Sequence, residues 1–272
     1  VPSGRGAAAR PAFEPGPVIP LGKGSRGGAE VGTLVTVSVR GRSARVTAVH
    51  GPAGSAPAGV GALLVHERLE RPFPRAALDE AQEYGELTPV GDRGRRDMRS
   101  QRVITIDPEG AKDHDDALAV APEGAEATRL WVHIADVSRF VAAGGAIDRE
   151  AARRGNSVYV PGRVVPMLPP RLSADLCSLR PGADRAALTV ELVVGTDGSV
   201  HETRFSRTLI RSERRLTYPE VDAFLGGGRL GDDGLEADLD RLAAVARNLR
   251  ERRVARGGLP APPGPPEGRV HR

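Results

Sequence analysis

The chain has 272 residues, a hydrophobic content of 39% and a formal net charge of +4. This composition can supply the core of one large domain or two ordinary ones, whereas no apolar run approaches the roughly 20 residues of a membrane span. One cysteine among scattered histidines cannot form an internal disulfide and lacks zinc-site spacing. We therefore expect a soluble, cytoplasmic protein, and the positive charge modestly favours a polyanionic partner.

The first 90 residues predict a linker followed by a small β-rich unit. Residues 1–30 are rich in Gly, Ala, Pro and Arg without apolar periodicity, so we expect a disordered entry. "TLVTVSV" and "SARVTAV" alternate around "GR" and predict a β-hairpin. "VGALLV" (60–65) predicts a third strand, and Pro74 opens a predicted helix through Tyr84.

Three arginines cluster on the predicted hairpin: Arg40, Arg42 and Arg45. They suit a small barrel that contacts a phosphate backbone. A solvated hairpin face explains them equally well.

The rest of the chain predicts a mixed α/β domain. "GDRGRRDM" (91–98) is a charged, glycine-broken linker, so we place a domain boundary near residue 95. "RVITI" and "RLWVHIA" predict buried strands, "IDREAARRG" a short helix, and residues 186–210 a long hairpin that turns at "TDG". Thr217–Glu220 has the form of a capping box, and leucines at helical spacing predict a last helix that ends at Gly257.

Four aspartates lie within ten positions of one another in "VITIDPEGAKDHDDALAV": Asp107, Asp113, Asp115 and Asp116. "DPEG" fits a type I turn, which explains the first of them alone. Two carboxylates about 4 Å apart repel by roughly 4 kcal/mol at an effective dielectric near 20, so a converging set needs a cation. Mg²⁺, which takes oxygen ligands, is the natural candidate. The alternative is an exposed loop whose aspartates point separately into water.

"TIDPEGAKDHDDA", "WVHIADVSRFV", "NSVYVPG", "SADLCSL" and "RLTYPEV" occur in this order. In these motifs the chain resembles the catalytic domain of the ribonuclease II/ribonuclease R family of exoribonucleases over about residues 93–258. The preceding β-unit resembles the cold-shock, OB-type domain of that family. The resemblance implies an α+β fold, with a small OB-like β-barrel followed by the first half of a mixed α/β exoribonuclease catalytic domain.

The resemblance also implies the chemistry. The four aspartates match the family's Mg²⁺ site and are the expected catalytic and metal-binding residues. Tyr159 matches the tyrosine that stacks on the 3′ base, although its residue type and position alone favour core packing. The implied reaction is Mg²⁺-dependent 3′-to-5′ hydrolysis of single-stranded RNA to nucleoside 5′-monophosphates. The sequence predicts no membrane partner and indicates no particular protein partner.

Other residues have simpler interpretations. We expect His133 and Asp136 to be satisfied core groups, and Cys177 to be a small buried hydrophobe. His114 could contact RNA or be a tolerated loop residue. Four arginines could line an RNA channel or lie on the surface: Arg139, Arg163, Arg171 and Arg185.

The expected domains are a linker (1–30), an OB-like RNA-binding domain (31–90) and the N-terminal part of the catalytic domain (93–272). Family catalytic domains continue further, so we expect a fragment that is inactive alone and exposes apolar surface. One alternative is a non-catalytic RNA-binding protein with a truncated nuclease domain. Another, less favoured by the downstream motifs, is a metal phosphohydrolase of different fold acting on small esters.

Overall fold

The computed structural model describes residues 2–3, 6–85 and 94–259. Its strands are β1 (Pro2–Ser3), β2 (Gly6–Ala9), β3 (Ile19–Pro20), β4 (Thr33–Arg40), β5 (Ser43–Pro52), β6 (Arg96–Asp97), β7 (Ile104–Asp107), β8 (Asp116–Glu123), β9 (Ala127–Ala135), β10 (Val158–Val160), β11 (Arg163–Val165), β12 (Asp184–Gly195), β13 (Val200–Arg211) and β14 (Arg214–Thr217). Its α-helices are α1 (Ala56–His66), α2 (Arg75–Glu83), α3 (Ala146–Arg154), α4 (Tyr218–Leu225) and α5 (Asp233–Ala255). None of the helices in these ranges combines the length and apolarity needed to cross a membrane.

The described residues form two compact units. The first contains residues 2–3, 6–73 and 153–167. The second contains residues 74–85, 94–152 and 168–259.

The predicted linker at 91–98 leads into the second unit. Residues 91–93 lie outside the described residues. Arg96–Asp97 form β6, which pairs in parallel with β13. The end of the predicted linker therefore belongs to a sheet.

The first unit contains the predicted β-hairpin. β4 pairs antiparallel with β5, and Gly41 and Arg42 connect them. Gly41 has a φ of +59°, a conformation that glycine adopts without a Cβ clash. Ala44 and Val46 are buried, and α1 packs against both strands. The hairpin prediction is confirmed.

The predicted third strand, Val60–Val65, is wrong because these residues belong to α1. An apolar run this short does not separate a strand from a buried helix by periodicity. The helix is longer than the run and carries Pro57 in its first turn, where a missing N–H costs nothing. Ala58 and Ala62, one turn apart, are both buried.

Residues 6–30 are not the featureless linker that their composition predicts. β2 pairs with β1 and β3. Hydrogen bonds tie the following residues to β5: Gly22 N–H donates to the Ala44 carbonyl (3.1 Å), and Val46 N–H donates to the Ser25 carbonyl (2.9 Å). Backbone pairing of this kind leaves little trace in hydropathy, which is why composition misses it.

The antiparallel pair β10–β11 also belongs to the first unit. The guanidinium of Arg163 binds the Glu70 carboxylate. Arg154 lies over the Phe73 ring, 3.7 Å from its centroid, a cation–π arrangement. These contacts attach residues 153–167 to the end of the N-terminal segment.

The second unit contains a seven-stranded mixed sheet in the order β14-β7-β8-β9-β12-β13-β6. β7–β14 and β13–β6 are parallel, and the other neighbours are antiparallel. Helices α4 and α5 contribute to two apolar clusters with this sheet. These clusters are Ile104, Leu216, Phe224, Leu235 and Leu239 in one, and Leu130, Val194 and Val245 in the other. This core positions the ends of β7 and β8.

Most predicted elements of this unit are confirmed. The long hairpin is β12–β13, with its turn between Gly195 and Val200. Thr217 and Glu220 form the capping box of α4, and α5 ends before Gly257. The chain therefore has the mixed α/β fold that the sequence predicts, and its small N-terminal β elements are consistent with an OB-like domain.

Helix α2 confirms the helix predicted after Pro74, but it lies in the second unit and not in the N-terminal domain with which the sequence groups it. The Glu80 carboxylate accepts a hydrogen bond from the N–H of Ala146 (2.5 Å) at the start of α3. Arg171 donates to the carbonyl of Ala81 (3.0 Å). Such side-chain partners for backbone groups fix a helix in its tertiary place.

Candidate active site

The four aspartates lie at the connection between β7 and β8. Asp107 is the last residue of β7 and pairs in register with β14. Asp116 is the first residue of β8 and pairs in register with β9. Asp113 and Asp115 lie in the connection of residues 108–115, which we call the carboxylate loop. Two of the aspartates are thus fixed by sheet pairing and two belong to the loop.

The carboxylate loop begins with a turn one residue later than "DPEG" predicts. Its hydrogen bond runs from Ala111 N–H to the Pro108 carbonyl (3.1 Å). Arg215 donates to the carbonyls of Pro108 (2.6 Å) and Glu109 (2.7 Å). Because Asp107 completes strand β7 instead of opening the turn, its position is set by the sheet.

The end of the carboxylate loop is held by neighbouring backbone and by one hydroxyl. Ser178 Oγ donates to the Lys112 carbonyl (2.8 Å) and accepts from His114 N–H (3.1 Å). Ala135 N–H of β9 donates to the Asp115 carbonyl (2.9 Å). The loop backbone is therefore well anchored around its two aspartates.

Asp107 and His114 are the buried members of the site, with 7% and 5% of their surface exposed. The Nδ1 atom of His114 lies 2.9 Å from Oδ2 of Asp107, but the two atoms are not aligned for a hydrogen bond. His114 is thus a buried neighbour of Asp107 and is more constrained than a tolerated loop residue. A buried carboxylate oxygen without an aligned donor is costly and calls for a partner.

The aspartates act on one another electrostatically. Partial burial raises the pKa of Asp115, and the charges of Asp113, Asp116 and Asp107 raise it further. Burial also raises the pKa of Asp116, with an added contribution from Asp107. Asp115 and Asp116 still reach solvent, so their carboxylates lose only part of their hydration. The fold concentrates negative charge where β7 ends and β8 begins.

The donor set suits a hard cation, since aspartate oxygens are the ligands that Mg²⁺ prefers. Within the described ranges, however, no three acidic, histidine or cysteine side chains lie close enough to hold a metal ion by themselves. Asp107 Oδ2 is nevertheless a buried acceptor for which the described part of the chain supplies no aligned donor. These residues therefore fit a cation whose remaining ligands are oxygens from outside the protein, such as water.

The other predicted site residues belong to the first unit, whereas the four aspartates belong to the second. Tyr159 of β10 has 62% of its surface exposed, so the core-packing interpretation is wrong. Arg40, Arg42 and Arg45 are exposed on the β4–β5 hairpin.

The three predicted core residues are confirmed as buried. His133 is fully buried, with Nδ1 2.8 Å from Thr189 Oγ1. Asp136 forms a buried ion pair with Arg95 (2.7 Å). Burial raises the pKa of the Cys177 thiol to about 12, so this thiol is a poor nucleophile at neutral pH.

The four arginines that could line an RNA channel all contact groups of the protein. Arg185 is buried and donates from Nε to the Ser178 carbonyl (2.8 Å), so it does not line an open channel. The other three contact a neighbouring phenylalanine ring (Arg139), a carboxylate (Arg163) and backbone carbonyls at the end of α2 (Arg171).

Ser178 is a residue of the site that no local pattern in the sequence marks. It lies in "DLCSL", and 64 positions separate it from His114, whose N–H it accepts. A hydrogen bond between residues so far apart in the chain depends on the fold. The only sequence signal was that Ser178 belongs to one of the motifs that carry the family resemblance.

Comparisons with known proteins place these observations in a family. Residues 95–268, well over half of the chain, match the RNB domain family. Ribonuclease R of Acidithiobacillus ferrooxidans is 41% identical over 195 residues, which cover 70% of this chain and 44% of the relative. The residues matched by the RNB family include the carboxylate loop and the sheet around it.

Two solved structures share the fold. Ribonuclease R of Mycoplasma genitalium, in complex with double-stranded RNA, aligns with a TM-score of 0.76 and 24% identity over 88% of this chain and 44% of that chain. The yeast pseudonuclease Ssd1 aligns with a TM-score of 0.64 and 19% identity over 93% of this chain and 33% of that chain. This chain thus spans less than half the length of each of these proteins. With its RNB domain, the chain belongs to the ribonuclease II/ribonuclease R family.

Proposed function

We propose that this chain is part of an Mg²⁺-dependent exoribonuclease that hydrolyses single-stranded RNA from the 3′ end and releases nucleoside 5′-monophosphates. The observation that carries the proposal is the group of four aspartates around the carboxylate loop of an RNB domain. Asp107, Asp113, Asp115 and Asp116 are the proposed catalytic and Mg²⁺-binding residues. The ribonuclease R relatives support the reaction class.

Mg²⁺ is the cation that suits this site. It is usually held by one or two carboxylates, several waters and phosphate oxygens of the substrate, and seldom by a cage of protein ligands. This coordination preference agrees with a site where, among the described residues, no three acidic side chains can hold a metal ion by themselves. A cation would stabilise two of the aspartates most. Asp107 has a buried Oδ2 without an aligned donor among the described residues, and Asp115 is repelled by the other three carboxylates.

The protein's contribution to the reaction is orientation. Asp107 and Asp116 end and begin paired strands, so their backbones are fixed before RNA binds. Carboxylates fixed in this way would hold a bound cation in place without rearrangement during the reaction, which would lower its barrier. Bound Mg²⁺ would supply positive charge for the phosphate oxygens and a more acidic water.

Two features of the first unit support RNA as the substrate. Tyr159 is exposed, and a stacked aromatic ring accepts any base, which suits a nuclease of low sequence preference. Arg40, Arg42 and Arg45 are exposed and suit contacts with backbone phosphates.

The second candidate is a non-catalytic RNA-binding protein. The observation that favours it is the fold shared with a yeast pseudonuclease, since a fold by itself does not fix an activity. The presence of all four aspartates favours the nuclease.

The deciding experiment compares the wild-type protein, extended to the length of its ribonuclease R relatives, with an Asp115→Asn variant. Each is incubated with 3′-ended single-stranded RNA and Mg²⁺, with and without EDTA, and the products are separated by size. We expect Asp115→Asn to abolish hydrolysis and to spare RNA binding, because asparagine keeps the size of aspartate but lacks its charge.

Asp240→Asn, a charge change at an exposed position of α5, is the matched control and should leave hydrolysis unchanged. Hydrolysis that persists in EDTA, or full activity in Asp115→Asn, contradicts the proposed Mg²⁺ site. RNA binding without hydrolysis by the wild-type protein favours the non-catalytic candidate.

A further inference from the structure

The side chain of Ser178 is fully buried and contacts the carboxylate loop from a distant part of the chain. We propose that Ser178 is a positioning residue, which holds the loop backbone so that Asp113 and Asp115 can share a divalent cation. The inference rests on the proposed function, because it concerns the same cation site.

The Ser178 hydroxyl is both a hydrogen-bond donor and a hydrogen-bond acceptor. Oγ donates to the Lys112 carbonyl at 2.8 Å and accepts from His114 N–H at 3.1 Å. A serine hydroxyl has one donor and two acceptor positions, so one side chain satisfies two backbone groups. These groups lie on either side of Asp113, and the hydroxyl therefore bridges the segment that carries this aspartate.

Two backbone hydrogen bonds extend the same support to Asp115. The His114 carbonyl accepts from Leu179 N–H at 2.9 Å, and the Asp115 carbonyl accepts from Ala135 N–H at 2.9 Å. These two bonds do not involve the serine hydroxyl. Removal of the hydroxyl therefore acts on the segment before the His114 carbonyl, where the loop would become free to move.

Ser178 is itself held in place. Its carbonyl accepts from Nε of Arg185 at 2.8 Å, and Arg185 is also buried. The positioning bonds therefore start from a packed part of the second unit. Outer contacts of this kind orient ligands, and their removal typically weakens metal binding by about 10-fold to 100-fold.

A buried serine that merely fills space is the competing explanation. The two explanations differ in what a conservative change does. Ser178→Thr keeps a hydroxyl and should retain cation binding, whereas Ser178→Ala removes only the hydroxyl and should weaken it.

The test titrates the wild-type chain and its variants with Mn²⁺ alone, a probe that carboxylate and water ligands accept in place of Mg²⁺. Free Mn²⁺ is followed by electron paramagnetic resonance. We expect Ser178→Ala to raise the dissociation constant at least about 10-fold and to accelerate hydrogen exchange at the His114 amide. Thermal unfolding checks that each variant is folded, and if Ser178→Ala is not, Ser178→Cys replaces it and should weaken binding in the same direction.

Ser212→Ala is the matched control. Ser212 is also buried, and its hydroxyl donates to the Val103 carbonyl (3.4 Å) instead of the carboxylate loop. It should leave Mn²⁺ affinity unchanged. Equal affinity in wild type and Ser178→Ala, or an equal decrease in Ser178→Ala and Ser212→Ala, overturns the positioning role and leaves the proposed function standing. No Mn²⁺ binding by wild type also overturns the positioning role, whereas the proposed function is decided separately by the RNA hydrolysis assay with EDTA and Asp115→Asn.

Discussion

Two buried histidines of the second unit have different surroundings. His114 lies beside Asp107 at the candidate site. His133 lies within β9, where Nδ1 contacts Thr189 Oγ1 and Nε2 has no hydrogen-bond partner among the described residues. Burial lowers the pKa of His133 to about 4, because a charged ring there would lose its hydration. His133 is therefore neutral in the folded protein near pH 7.

Stability should consequently fall as the solution is acidified. The unfolded chain binds a proton at His133 near the ordinary pKa of 6.5, whereas the folded chain does so only near 4. The contribution of His133 is fully present above pH 6.5 and is lost as pH falls through this window, by about 3 kcal/mol in total. Urea unfolding of wild type and His133→Gln between pH 7.5 and 4 measures it, and the variant should have the smaller pH dependence.

His201→Gln, at an exposed histidine of β13, is the control and should keep the wild-type pH dependence. If His133→Gln also keeps it, then His133 is not the group responsible. Carboxylates contribute to the curves of all three proteins, so the difference between curves is the quantity to compare.

Both the exposure of Tyr159 and the family resemblance favour a role for its ring in stacking on an RNA base. We expect Tyr159→Ala to weaken the binding of a short 3′-ended RNA by about 1–3 kcal/mol, the usual contribution of one base stacked on an aromatic ring. Tyr159→Phe keeps the ring and should bind nearly as well as wild type. Fluorescence anisotropy measures both affinities in the protein extended to ribonuclease R length, and separation of the products by size gives the smallest product of each variant. Unchanged affinity and product size in Tyr159→Ala would remove the stacking role.

Among the secondary-structure elements, the β4–β5 hairpin separates its charges from its core. Arg40 lies two residues after Ser38, which pairs with Arg45, so the two arginines share one face of the hairpin. Ala44 and Val46 point to the other face and are buried. The arginine face is thus available to a ligand.

Replacing Arg40, Arg42 and Arg45 together by alanine should weaken the binding of single-stranded RNA. For each phosphate that no longer binds an arginine, the slope of log affinity against log salt concentration should fall by about 0.7, because fewer counterions are released. Affinities measured at several salt concentrations give the slope. The triple Arg→Lys variant keeps the charges and should keep most of it. If the alanine variant has the wild-type affinity and slope, the hairpin is only structural.

Across the chain, the proposed catalytic residues and the proposed RNA contacts belong to different compact units. Large apolar side chains are exposed on the sheet of the second unit. Ile134 and Leu188 are paired across β9 and β12 and are both exposed, and Phe205 of β13 has 67% of its surface exposed. The prediction of exposed apolar surface is therefore confirmed for this part of the sheet.

We expect the 272-residue chain to hydrolyse RNA far more slowly than a protein of ribonuclease R length, because it spans less than half of such relatives. Both are assayed with the same 3′-ended RNA and Mg²⁺. Asp115→Asn in each is the background control. Equal rates for the two lengths would contradict this expectation and show that the chain is sufficient by itself.

Elements whose signals are local could be predicted from the order of residues alone. Alternation in β4 and β5, the capping box at Thr217 and the leucine spacing of α5 each depend on residues that are close in the chain, and each was correctly predicted. The dense aspartates around the carboxylate loop and the motifs downstream were likewise sufficient to identify the family. The strand predicted from the short apolar run in α1 is wrong because a run of that length does not distinguish a strand from a helix.

The side chains that support the site could be identified only in the folded chain. Ser178 contacts the carboxylate loop, His114 is buried against Asp107, and Glu80 attaches α2 to α3. The serine and glutamate bonds join segments that are far apart in the sequence, and the burial of His114 depends on the elements packed around it. Burial and hydrogen bonding of this kind arise when distant segments pack together. No local pattern of residue types encodes that packing, so it becomes visible only when the chain is folded.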